Sequence, residues 1–143
     1  MGKKKKFKSK KIHEYQRKRG NRPDLPSVRK RNIVLSYRYF DRSQGQNFKD
    51  WETNEILSLA TDKLANLCQL TVHEATQQQI VKEYTQVDFP PNSNFTHPRQ
   101  VPKGINWCSM HIQGKECVIG FFEENIFNIV FLDMNHEFWP SKK

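Results

Sequence analysis

Ile105-Asn-Trp-Cys-Ser-Met-His-Ile112, Gln113-Gly114-Lys115, Glu116-Cys-Val-Ile-Gly-Phe-Phe122, Glu123-Glu124-Asn125 and Ile126-Phe-Asn-Ile-Val-Phe-Leu132 follow one another without interruption. Three runs rich in β-branched and aromatic side chains, separated by two short polar turns, predict a three-stranded antiparallel meander covered on at least one side. The apolar pattern stops at Asp133-Met-Asn-His136-Glu-Phe-Trp139-Pro140, a polar and aromatic cluster at the end of the last strand. That cluster is the first candidate for a chemical site.

Upstream, Asn32 to Phe40 alternates as a strand, with Leu35, Tyr37 and Tyr39 on one face. Asp41 to Asp50 is polar with a single glycine and no GK[ST], so it reads as a plain surface loop and not a P-loop. Asp50 is placed to cap a helix starting at Trp51, and Ile56, Leu57, Leu59, Ala60, Leu64, Leu67 and Cys68 recur at helical spacing as a stripe facing the sheet. Thr71-Val-His-Glu74 matches a capping box and predicts a second helix reaching about Tyr84. Residues 85 to 104 carry four prolines and predict a long irregular crossing. Phe89, Phe95, His97 and Arg99 are available there either to meet a ligand or to pack the crossing down. The expected fold is α+β: a small antiparallel sheet, made of one N-terminal strand and the C-terminal meander, covered by two helices.

The charge is divided sharply along the chain. Residues 1 to 31 hold fourteen Lys and Arg against two acidic residues, whereas residues 32 to 143 hold ten basic and thirteen acidic ones. The basic character belongs to a tail that is too charged and too poor in apolar side chains to contribute a core, and is expected to be disordered until a partner neutralises it. A single domain over 32 to 143 follows it. Lys3, Lys4, Lys5, Lys6, Lys8, Lys10, Lys11, Arg17, Lys18, Arg19, Arg29, Lys30 and Arg31 are the candidate phosphate contacts, joined by Arg99 and Lys142 from the body. Trp139 is the candidate stacking platform for a base. Three cysteines without CxxC spacing exclude a disulfide framework and point to a reducing, cytoplasmic setting. No apolar run is long enough for a membrane span.

Five histidines lack HExxH or any related spacing, and Asp133-x-x-His136 supplies only half of a ligand set. No metal centre and no cofactor are expected. RNA cleavage needs neither: His groups can move protons to and from the sugar oxygens while Lys or Arg holds the phosphate. His136 at the end of the last strand and His111 near the end of an earlier one are the candidates, and their pairing depends on strand register.

The order strand, helical segment, irregular crossing, and then Trp107 to Phe131 with its Gly-Lys turn and acidic turn resembles the small bacterial toxins of the RelE and ParE superfamily. The resemblance implies a compact α+β fold and, in many relatives, an endoribonuclease held in check by an antitoxin. It adds Lys115 to His111 and His136 as catalytic candidates, with Glu116, Lys142 and Lys143 at matching positions. Cys117, Ile119 and Phe121 stand where such toxins often carry arginine. The ending from Leu132 through Asp133 and His136 to Pro140 also resembles that of uncharacterised prokaryotic and phage-related proteins. Three readings emerge: a toxin-like, metal-independent endoribonuclease acting on RNA, a noncatalytic nucleic-acid- or ribosome-binding module, and a protein–protein adaptor of a mobile element.

Overall fold

A computed structural model describes residues 30–140. The basic segment up to Arg29, with its expected disorder, lies outside the described residues, as do Lys142 and Lys143. The elements in chain order are β1 (Val34–Ser36), α1 (Phe48–Thr53), α2 (Leu57–Leu67), α3 (Val72–Gln77), β2 (Lys82–Glu83), β3 (Trp107–His111), β4 (Cys117–Glu123) and β5 (Ile126–Asp133). They build the expected α+β architecture around one open five-stranded sheet of order β1-β5-β4-β3-β2. The meander pairs antiparallel as its sequence predicts, β2 adds antiparallel to β3, and β1 lies parallel to β5. The sheet is therefore mixed rather than wholly antiparallel.

Both faces of the sheet are covered, by different material. On one face Ala60, Leu64 and Leu67 of α2 and Ala75 of α3 pack with Trp51 of α1 against Met110, Val118, Phe127, Ile129 and Leu132. On the other face the irregular crossing and the C-terminal segment supply Phe95, Val101 and Phe138 against Trp107, Ile119, Phe121, Val130 and Phe131. Trp107 stacks on Phe131 at 5.6 Å, and Phe95 meets Phe131 at 4.7 Å. Aromatic contacts of this kind contribute about 0.5–1.5 kcal/mol each beyond the area they bury. The crossing is thus packed down by its aromatics, which settles the open choice for Phe89, Phe95 and His97: Phe89 lies edge-on to Trp107 at 5.6 Å, and His97 Nε2 bonds the Val101 carbonyl at 3.0 Å.

Three local expectations are corrected. The first strand is three residues long, because the backbone turns at Tyr37 to Phe40, where Phe40 N–H bonds the Tyr37 carbonyl. The first helical stretch is two helices. Asn47 is the N-cap of α1 in a capping box closed by Asp50, and Glu55, in the left-handed region at φ 60°, breaks the run before α2. The capping box at Thr71 and Glu74 is present, but α3 stops after one and a half turns because Gln79 adopts φ 59°, and the chain then leaves as β2. Among the described residues no helix is long and apolar enough to cross a membrane.

Candidate functional site

The register of the meander aligns one row of side chains across its end. His111 of β3 is paired with Cys117 of β4, and Cys117 is paired with Asp133 of β5. Directly opposed residues of an antiparallel pair share a face, so the three stand together on the face covered by the aromatic crossing. An irregularity between Ile119 and Gly120 is essential to this. Ile119 pairs with Phe131 while Gly120 pairs with Ile129, leaving Val130 as an extra residue. A bulge of one residue reverses the in–out alternation beyond it. Phe127 and Ile129 face the helices, yet Phe131 and Asp133 face the crossing. Without the bulge, Asp133 would point at the helix layer. Gly120 allows it: a Cβ there would collide with the Asn128 carbonyl.

Beyond Asp133 the chain turns back over this row. The Asp133 carboxylate, 2% exposed, accepts from the Glu137 N–H through Oδ1 and the Phe138 N–H through Oδ2, both at 2.9 Å. The loop so closed puts His136 at φ 58°, a conformation uncommon for a residue with a β-carbon. Gln46 secures the other side of the turn. Its Oε1 accepts from the Met134 N–H and from Trp51 Nε1, and its own N–H bonds the Leu132 carbonyl. The Asp41–Asp50 loop, a plain surface loop by its sequence, is therefore part of what positions the site. Asn94 adds a third tie, its side chain donating to Glu137 Oε2 at 2.6 Å.

The result is that His136 meets His111, with ring centroids 5.4 Å apart. Ligand atoms of His111, Cys117 and His136 all lie within 4.8 Å of one another. His111 is exposed, His136 half-buried and Cys117 buried. One buried polar atom at this place, His136 Nδ1, makes no hydrogen bond within the described residues. Burial pushes the Cys117 thiol up to about 12, with Asp133 and Glu116 adding in the same direction. Burial also raises the Asp133 carboxyl above its ordinary value, against the two N–H bonds and His136 that pull it down. His111 is lowered by burial, and then by His136 and Lys82. The rim thus gathers two imidazoles and a thiol, with Asp133 paired to Cys117 across the strands.

The remaining sequence candidates fall around or away from this rim. Lys115 sits exposed in the β3–β4 turn, and among the described residues no hydrogen bond or ion pair joins it to either histidine. Trp139 is half-buried and stacks on Tyr84 at 4.4 Å with the rings 6° from parallel, so one face is taken by the protein itself. Tyr84 in turn shares a hydrogen bond with Ser109 and lies under the Lys82 ammonium. Lys30, Arg31 and Arg99 are exposed. A groove of about 890 Å³ runs along the edge formed by α2, β2 and β3, lined among others by Lys63, Asn66, Lys82, Ser109 and His111. Sequence reasoning missed Cys117, Gln46, Lys63 and Lys82.

Comparison of the chain with protein-family models, with curated proteins and with solved structures finds no match.

Proposed function

We propose that this protein acts on RNA as a toxin-like endoribonuclease of the RelE kind, working in the cytoplasm and restrained by an antitoxin-like partner protein. The convergence of His111 and His136 on one exposed rim carries the reading, since two imidazoles 5.4 Å apart at their centroids can flank a single phosphodiester. One imidazole takes the 2′-hydroxyl proton as that oxygen attacks phosphorus. The bond to the 5′-oxygen breaks and the other imidazole protonates it, leaving a 2′,3′-cyclic phosphate and a 5′-hydroxyl. The groove ending at His111 offers Lys63 and Lys82 to the adjoining phosphates, and the basic N-terminal segment adds affinity without sequence preference.

The test is incubation of RNA with the full chain, His111→Ala and His136→Ala, with the ends mapped. Cyclic phosphate ends from the wild type, and a rate lower by roughly 100-fold or more in each variant, are expected. Uncut RNA at high protein concentration, alongside binding that weakens steeply with salt, would replace this reading with the noncatalytic binding module. The body's excess of acidic residues and the coverage of Trp139 by Tyr84 count against RNA contact by the body, and in that second reading the affinity rests on the basic segment. Binding that survives deletion of residues 2 to 29 unchanged would remove the basic segment from either account.

A further inference from the structure

We infer that His111, Cys117 and His136 form a binding site for a zinc-class divalent cation, with three protein ligands and one position open to a small oxygen donor. The three ligand atoms come from β3, β4 and the turn after β5, and all lie within 4.8 Å of one another. Tetrahedral coordination at about 2.0–2.1 Å to nitrogen and about 2.3 Å to sulfur sets ligand atoms roughly 3.3–3.7 Å apart. Rotation of the side chains by about an ångström closes the difference, and exposed His111 has the room for it.

One further observation points to a cation. His136 Nδ1 is buried with no hydrogen bond among the described residues, although its backbone is held in a left-handed conformation by Asp133. A buried polar atom left unpaired costs about 1–3 kcal/mol in a folded protein, so its retention calls for a partner beyond the described residues, and a cation is one that an imidazole nitrogen takes. Asp133 stands outside this trio of ligand atoms, and each of its oxygens accepts a backbone N–H. Its part is to fix the backbone turn that carries His136. Thiolate with two imidazoles selects zinc, cobalt or copper over magnesium or calcium. Three ligands at an exposed rim describe an open site, unlike the closed four-ligand sets of structural zinc.

The inference concerns the same rim as the RNA reading but does not depend on it. With a cation held there both imidazoles would be ligands and would not carry the proton transfers of the RNA reading, which therefore belong to the metal-free protein.

The experiment titrates cobalt(II) into the chelator-treated full chain in the absence of RNA. One equivalent should bind with a near-ultraviolet thiolate-to-cobalt charge-transfer band and the intense visible bands of tetrahedral cobalt, and zinc should displace it. Cys117→Ser should abolish the charge-transfer band, and His111→Ala should weaken binding at least roughly 10-fold. His111 is exposed, so His111→Ala keeps the test decisive if Cys117→Ser fails to fold. No band, a band retained in Cys117→Ser through Cys68 or Cys108, or unchanged affinity in His111→Ala overturns the site. RNA cleavage is then measured with and without chelator: cleavage by metal-free protein leaves the RNA reading standing whichever way the titration falls.

Discussion

Replacing Asp133 with alanine tests what holds His136 against His111. The wild-type carboxylate accepts two N–H bonds of 2.9 Å, from Glu137 and from Phe138, and Phe138 is 1% exposed. Hydrogen bonds to a charged acceptor contribute about 1.5–3 kcal/mol each, and the lower end applies here because the same carboxylate is buried at a cost. Asp133→Ala should therefore destabilise the fold by roughly 3 kcal/mol, a large part of the 5–15 kcal/mol typical of a domain. Asp133→Asn keeps one acceptor and presents an N–H to the other donor, so it should lose at least roughly half as much. Urea unfolding reads the magnitude. Native-state hydrogen exchange at the Glu137 and Phe138 amides, with nuclear Overhauser contacts between the two imidazoles, reads the location. A loss below about 1 kcal/mol, with those amides still protected and the rings still in contact, would refute the assignment of Asp133 as the anchor of the turn.

Gly120→Ala places a methyl group against the Asn128 carbonyl and within 3.2 Å of Phe127 Cε1. It should cost roughly 3 kcal/mol by urea unfolding and disturb the bulge, whereas a neutral result would mean that the strands can part there cheaply. Asp41 accepts from the Ser43 N–H at 2.8 Å, the Ser43 hydroxyl at 2.6 Å and the Gln44 amide at 2.9 Å. Burial alone would raise its pKa, but these bonds outweigh burial and hold it below the ordinary 3.8. The unfolded chain then binds more protons, so this stabilisation is present above 3.8 and lost as pH falls through the folded value. Asp41→Asn should show a shallower fall in the urea midpoint between roughly pH 5 and pH 2.5, and a parallel curve would contradict the shift. Asp133, shifted upward, acts in the opposite sense above 3.8, which is why the comparison is between variants. Thr71→Ala removes the side-chain acceptor of the Glu74 N–H and should cost about 1 kcal/mol in thermal or urea unfolding, while no change would mean that α3 is held by packing alone.

The α+β class, the three strands of the meander, their turns and the Thr71–Glu74 cap could all be read from local pattern. The helix boundaries could not. Glu55 and Gln79 adopt left-handed backbone without being glycine or asparagine, so neither break has a local signature. Nor is β2 legible, since Lys82 and Glu83 pair with Cys108 and Ser109 through a backbone ladder that places no demand on their side chains. Trp139 has the residue type of a base-stacking platform, and only the fold reveals Tyr84 lying on it.

His111 and His136 were candidates one by one, as histidines at strand ends. Their meeting, and the entry of Cys117, depend on three long-range events: the register that sets His111 beside Cys117 and Cys117 beside Asp133, the bulge at Val130 that turns Asp133 to that face, and the turn tied down by Asp133, Gln46 and Asn94. Residue type and local spacing, which the sequence by itself determined, decide which strands form and which side chains have reactive atoms. Which of those atoms share a few ångströms was decided only by the tertiary structure, because register, bulge and loop closure are set by packing between segments tens of residues apart.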